Sequence, residues 1–435
     1  MASFYWLKKA GRVERRALKL RFLGGTGEVG RSAILVEAGR ASILLDYGVM
    51  LNDEPGFPMH VPPRDVDGII ITHAHLDHSG AVPIFHIGRG VPVYATRLTF
   101  ELTELLLQDF IHLTGYYLPF EYIELQNMLS CANYVPYNKT FRIKDVSITL
   151  LRAGHIPGSA QVLVEAEGKR LLYTGDVNPV NTRLLEGADL NYGELDAIII
   201  ESTYADEDHP DRLEQEREFV SRVKEVVEAG GTVLVPAFAV ARAQEVACIL
   251  RAHGFPYDVI MDGMARRVNV ILMNNLRELR DPELYMSAMD DIILIRKKKD
   301  RKKFVKRPCV IISPAGMLKG GPAAYYAMRL AGSPRNAIFL VSYQIPGTPG
   351  HELLENRIYV VDGKVQKVKA QVERFDFSSH AGRSDLHRML SSLKGSPKVF
   401  VVHGAEGNCE RLASWARDEL GLEAFAPEAG SEFEL

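Results

Sequence analysis

At 435 residues, 46% of them hydrophobic, the chain is too long for one typical core and predicts two domains, each able to bury a sizeable interior. Against 55 Asp and Glu stand 52 Lys and Arg, a formal net charge of −3 that excludes a global basic field, so a polyanionic partner has to be held by a local patch or by metals. Cys131, Cys248, Cys309 and Cys409 are scattered without a C-x-x-C pair, which excludes a disulfide framework and a separate zinc knuckle and predicts a cytoplasmic protein; no apolar stretch approaches the ~20 residues of a membrane helix, so no membrane association is expected.

The N-terminus, Met1–Lys9, lacks the long apolar core and cleavage site of a signal peptide and reads as a basic arm or as disordered chain. Leu20–Leu23 is a short strand running into Gly24-Gly25-Thr26-Gly27-Glu28-Val29-Gly30. Gly25, Gly27 and Gly30 match the dinucleotide fingerprint in letters, but that fingerprint needs a helix next, whereas Ser32–Glu37 reads as another strand. A tight glycine turn is the better reading. Ala41–Gly48 is a third strand carrying the acid Asp46, of the kind that also stabilises turns.

Gly68-Ile69-Ile70-Ile71 predicts a buried strand, and directly after it comes Thr72-His73-Ala74-His75-Leu76-Asp77-His78-Ser79-Gly80. Three imidazoles and a carboxylate within six positions predict a metal site. His73 and His75, two apart in extended chain, point the same way toward one ion; Asp77 and His78, where the chain turns, can reach a second. Arg97–Gln108 shows helical spacing and a structural role. Further single candidates each follow a strand: His155 after Val146–Leu150, Asp176 after Leu171-Leu172-Tyr173, and His403 after Val399–Val402.

Beyond Ala197–Ile200 and Glu201-Ser202-Thr203-Tyr204 the pattern changes to alternating strands and helices, which predicts a parallel α/β unit. Arg212–Ala229 is a helix with Leu213, Phe219, Val220, Val223, Val226 and Val227 on its apolar side. Thr232–Pro236 is a strand, Val240–His253 a helix, Val259–Met261 and Val310–Ser313 strands, Pro322–Leu330 a helix and Ala337–Ser342 a strand. Only then does the chain return to His380 and His403. Arg296-Lys297-Lys298-Lys299-Asp300-Arg301-Lys302-Lys303 is the strong charge run, read either as a phosphate contact or as a solvated loop.

The His73–His78 motif resembles the signature of the metallo-β-lactamase superfamily. The interruption, with Glu201–Tyr204 at its entrance, Ser313–Pro322 inside it and Phe377-Ser378-Ser379-His380-Ala381 at its exit, resembles the β-CASP nucleases, most of all the archaeal group related to the cleavage and polyadenylation specificity factor nuclease without KH domains. The resemblance implies an α/β fold: an αββα sandwich in residues 1–204, an inserted parallel β-CASP unit in 205–372 and completion of the sandwich in 373–435. It places His73, His75 and His155 on one metal, Asp77, His78 and His403 on the other, and Asp176 between them. Two zinc ions are implied, with manganese compatible with the same donors. Asp46 would support a ligand imidazole, and His380, kept charged by Glu201, would protonate the departing sugar oxygen during RNA hydrolysis. Ser378 and Ser379 are candidate phosphate contacts.

His403 aligns the chain with the RNA-cleaving rather than the DNA-repair branch of that family. Here Ala405 stands between His403-Gly404 and Glu406, where the family usually has its acid, so rearranged support of His403 is expected. A small-molecule hydrolase of the lactamase or glyoxalase type needs no second domain over its metals, and an inactive scaffold would have lost several ligands. The expectation is therefore a zinc-dependent ribonuclease of RNA maturation or decay. Endonuclease and 5′–3′ exonuclease modes both occur on this scaffold, and so does a homodimer, which nothing in the composition establishes.

Overall fold

The computed structural model describes residues 17–51, 54–114, 117–361, 364–405 and 407–435; Met1–Lys9 and Glu406, on which two of the expectations above fall, lie outside them. The first sheet holds β1 (Lys19–Gly24), β2 (Ala33–Ala38), β3 (Ala41–Leu45), β4 (Gly68–Ile70), β5 (Val93–Ala95) and β6 (Ala132–Tyr134). The second begins with β7 (Thr140–Ile143), β8 (Val146–Arg152), β9 (Ala160–Ala166), β10 (Lys169–Tyr173) and β11 (Ala197–Glu201). A third sheet follows with β12 (Thr232–Pro236), β13 (Val259–Met261), β14 (Ile292–Leu294), β15 (Cys309–Ser313) and β16 (Ala337–Leu340). After the hairpin of β17 (Ile358–Val361) and β18 (Lys364–Lys367) comes β19 (Gln371–Arg374), which joins that third sheet beside β16. The chain then returns: β20 (Lys398–Val402) and β21 (Ala424–Phe425) extend the second sheet, and β22 (Glu432–Glu434) closes the first against β1.

The orders are β22-β1-β2-β3-β4-β5-β6, β21-β20-β11-β10-β9-β8-β7 and β14-β13-β15-β12-β16-β19. The first two sheets bury one core between them, with Leu20, Phe22, Ile34, Ile43, Ile148, Val162, Tyr173, Ile199 and Phe400. Helices cover their outer faces: Arg97–Thr114 and Tyr122–Ser130 on one, Arg383–Ser391 and Asn408–Leu420 on the other. This is the αββα arrangement. The third sheet has both faces covered, which is why its strands read as unbroken apolar runs such as Val233-Leu234-Val235.

The glycine-rich stretch after β1 leads straight into antiparallel β2, with no helix for a dinucleotide. Arg97–Thr114 runs six residues past the expected Gln108, and the helix expected from Val240 starts at Arg242 because Ala241 takes a left-handed φ of 66°. Leu213 departs from expectation. It is 48% exposed, because Glu216 takes the inward position in the first turns of helix Arg212–Glu228 and pairs with Arg183 (2.6 Å) and His253 (2.9 Å). β19 was not foreseen as a strand; its pairing carries the third sheet through Arg374.

The inserted unit seats on the sandwich through an apolar contact joining Leu98, Leu102, Leu105, Ile156 and Leu184 to Cys248, Val268, Leu272 and Tyr285. Glu245 fixes the seat by accepting the backbone N–H groups of Arg183 and Leu184 at 2.9 and 2.8 Å. Among the described residues no helix is long and apolar enough to cross a membrane.

Candidate metal centre and its flanking acid

The candidate residues of the centre are carried by strand ends and the short segments that follow them. β4 is buried on both faces between β3 and β5, which the run Gly-Ile-Ile satisfies, and it delivers His73 in extended chain. His75 precedes the short helix Leu76–Ser79 that carries Asp77 and His78. β8, β10 and β20 bring His155, Asp176 and His403 to the same place, and β11 ends in Glu201 itself. Gly175, at φ 52°, lies so close that a Cβ would stand 3.0 Å from Thr72 Cβ, so a larger residue before Asp176 would be strained and would press on Thr72. Asp46 and His403 hold left-handed φ of 56° and 49° despite their side chains. Such backbone costs about 1–3 kcal/mol and persists where surrounding contacts over-determine it.

Two donor groups result. His73, His75, His155 and Asp176 offer atoms within 4.8 Å of one another, and so do Asp77, His78, Asp176 and His403. Asp176 Oδ2 faces His73 Nε2 (3.5 Å) and His155 Nε2 (3.6 Å), while Oδ1 faces His78 Nε2 (3.2 Å). His75 Nδ1 stands 3.1 Å from His155 Nε2, and His403 Nε2 stands 3.3 Å from both His78 Nε2 and Asp77 Oδ2. Despite this crowding, His73 Nε2 and Asp176 Oδ1 are buried and meet no partner in hydrogen-bonding geometry. Nitrogen and carboxylate donors aimed at shared points, two of them orphaned, fit a pair of divalent cations.

The imidazoles are oriented from behind. Asp46 is wholly buried and accepts from the Thr72 backbone N–H (2.7 Å), the Thr72 hydroxyl (2.8 Å), the Tyr173 hydroxyl (3.0 Å) and His78 Nδ1–H (2.7 Å). The Thr72 hydroxyl proton is thereby committed, so His73 Nδ1–H donates to Thr72 Oγ1 at 3.1 Å. One carboxylate thus fixes two rings, each with Nε2 aimed inward. His155 Nδ1–H donates to the Ser379 carbonyl (2.8 Å), and Thr203 Oγ1 lies 3.2 Å from His403 Nδ1.

Burial, then the neighbouring imidazoles, holds His73 and His155 well below the ordinary histidine range; burial also lowers His75. All three are held neutral, the form in which an imidazole can bind a metal. Burial also opposes charge on His78 and His403, but Asp176 with Asp46 raises the first, and Asp176 with Asp77 the second. Asp176, though burial disfavours its charge, is held ionised by His403, His78 and His73.

His380 stands at the edge of this cluster, its ring 4.5 Å from that of His155. Its Nδ1 lies 3.0 and 3.1 Å from the two oxygens of buried Glu201, which also accepts the Val177 N–H at 2.7 Å. Burial pulls this imidazole down, but Glu201 outweighs it and pushes the ring up to about 9. Asp176, Glu201 and His380 also lie within 4.8 Å of one another, yet the Glu201 oxygens are engaged by His380, so a third ion is not the better reading.

Of the serines expected at phosphate, Ser378 accepts the His380 N–H on its hydroxyl (3.2 Å), and Ser379 is buried with its hydroxyl accepting from Arg242 (3.2 Å). Both hydroxyls hold the loop that carries His380. In the basic run, Arg301 turns inward to Asp262 at 2.6 Å, leaving Arg296, Lys297, Lys298, Lys299, Lys302 and Lys303 exposed. Thr72, Tyr173, Thr203 and Arg242 were not foreseen; the first three are polar side chains within three residues of a candidate position, which was the one available signal, and Arg242 carried none.

The sequence profile of a metallo-β-lactamase superfamily domain matches residues 35–203, that of a β-CASP domain residues 243–353, and that of a Zn-dependent metallo-hydrolase RNA specificity domain residues 365–427. RNase aCSPSF2 of Saccharolobus solfataricus is 43% identical over 96% of this chain and 85% of that protein. A probable RNase MJ4 of Methanocaldococcus jannaschii is 36% identical over 96% of this chain and its own full length, and the transcription termination factor FttA of Pyrococcus abyssi is 34% identical over 95% of this chain and 70% of its own. A crystal structure of a protein of unknown function from Enterococcus faecalis V583 shares the fold, with TM-score 0.65 and 17% identity over 97% of this chain and all of that one. The chain belongs to the β-CASP family of the metallo-β-lactamase superfamily.

Proposed function

We propose that the protein is a metal-dependent ribonuclease that hydrolyses RNA phosphodiester bonds, with two zinc ions held by His73, His75 and His155, by Asp77, His78 and His403, and by Asp176 between them. The observation that carries this reading is the Glu201–His380 pair, an imidazole 3.0 Å from a buried carboxylate at the edge of a seven-residue donor cluster. When bound, the ions supply Lewis-acid polarisation of the phosphoryl group and activation of water at neutral pH. His380 delivers its proton to the departing sugar oxygen, and the Glu201 carboxylate favours its return to the charged form by uptake of a proton from water, the hydrolysis consuming one water overall. Asp46 and the Ser379 carbonyl hold ligand rings in the tautomer that presents a lone pair. The relatives named as RNases support RNA as substrate.

The domain division after residue 204 belongs to this proposal, and the pairing of β19 supports an exit after Arg374 rather than 372. So do a cytoplasmic location, supported by four unpaired cysteines, and a family-typical homodimer, measurable by light scattering. Elemental analysis of protein purified without added metal should find zinc near two equivalents. Digestion of matched RNAs with triphosphate, monophosphate and hydroxyl 5′ ends reads both activity and mode. Failure of the zinc-loaded protein to cut any of them overturns the reading.

A further inference from the structure

The strands β14-β13-β15-β12-β16-β19 are all parallel, so their C-terminal ends line one edge. Ligands of such sheets bind outside that edge. There β19 leads to Ser378, Ser379 and His380, its neighbour β16 leads to Tyr343, and β12 beyond it leads to Phe238. Tyr343 is 45% exposed, Ile345 48% and Phe238 39%, although both faces of the same sheet bury their apolar side chains. Large apolar groups are therefore open to solvent on the strand ends next to the metal centre.

Tyr343 is tied to that centre ring by ring. Its centroid lies 6.4 Å from Tyr204, edge-on at 89°, and Tyr204 lies 6.0 Å from His380. Arg374, exposed at the end of β19, holds its guanidinium 5.8 Å from the Tyr343 centroid. An exposed ring with an edge-on aromatic neighbour and a cation over it is a construction that single-strand readers use: the open part of the ring stacks a base and the cation meets the backbone. A base inside a duplex is already stacked and paired and cannot lie there.

We infer that Tyr343 is the stacking platform for one base beside the scissile phosphate, with Arg374 meeting the adjoining backbone. The inference rests on the ribonuclease reading of the same centre. Base stacking is sequence-tolerant because every base offers a π-face.

The test uses the metal-loaded full chain and a single-stranded RNA with one defined cut, prepared intact and with an abasic nucleotide at each of the three positions on either side. At one position the abasic substitution should lower wild-type kcat/KM by about 5- to 150-fold, the usual worth of one stacked base. Tyr343→Ala should lose about as much on intact RNA, lose nothing further at that position and keep its normal loss elsewhere; Tyr343→Phe should stay within about twofold of wild type. If Tyr343→Ala does not melt like wild type, Tyr343→Leu, which fills the space without a ring, takes its place. Ringless variants that match wild type on intact RNA, or abasic losses that multiply with theirs at every position, overturn the inference while leaving the nuclease reading intact. Wild type that cuts no RNA fails the earlier reading first.

Discussion

Replacing Glu201 by Gln tests the proposed acid, His380. The isosteric amide keeps an acceptor for the Val177 N–H but removes the charge that lifts His380 to about 9 against the pull of burial. A free imidazole titrates near 6.5, and burial takes it lower still. At pH 7.5 the protonated fraction should fall from about 97% to about 10% or less, a loss of roughly tenfold or more from proton supply alone. The sign follows from the role: a donor works only when protonated, so the rate falls as pH rises through its pKa. Wild type should decline above about pH 9, and Glu201→Gln should already be in decline by about pH 6.5. The assay is single-turnover RNA cleavage from pH 5.5 to 9.5 with metal content checked at each end. A substrate with sulfur in place of the scissile 3′ oxygen, whose leaving group needs no proton, should restore most of the rate to Glu201→Gln and to His380→Ala. His380→Ala on ordinary RNA should lose about 10²–10⁴. An unshifted basic limb in Glu201→Gln, or equal defects of His380→Ala on both substrates, refutes the assignment.

Asp176→Ala should lower metal content by elemental analysis and abolish cleavage on oxygen and sulfur substrates alike, since its two oxygens face both donor groups. Asp46→Asn should weaken metal binding by about 10–100-fold in chelator competition, with unchanged RNA affinity, because it orients ligand rings from behind. Neutralising Lys298, Lys299, Lys302 and Lys303 to Gln should flatten the slope of log RNA affinity against log salt by roughly 0.7 for each phosphate left without its lysine, with little effect at saturating RNA. Glu216→Ala should destabilise the fold by about 3 kcal/mol in urea melts, the low end for a broken buried pair because Arg183 keeps partial access to water.

The residues of the centre were legible because its densest part is local: His73, His75, Asp77 and His78 sit within six positions, after a strand whose apolar run marks its burial. The alternation of strands and helices after Glu201 made the inserted parallel unit legible too, because strands covered on both faces carry unbroken apolar runs. What tertiary structure alone decided is which atoms meet. Asp46 reaches His78 and, through Thr72, His73, and the Ser379 carbonyl reaches His155 across 224 positions, pairings that no local period encodes. Leu213 shows the same limit from the other side. Helical spacing cannot say that Glu216 will find Arg183 and His253 and displace an apolar residue from the inward face. Periodicity reports how each segment is covered, whereas hydrogen-bond partners, ring tautomers and the exposure of Tyr343 depend on which strand ends the fold brings side by side.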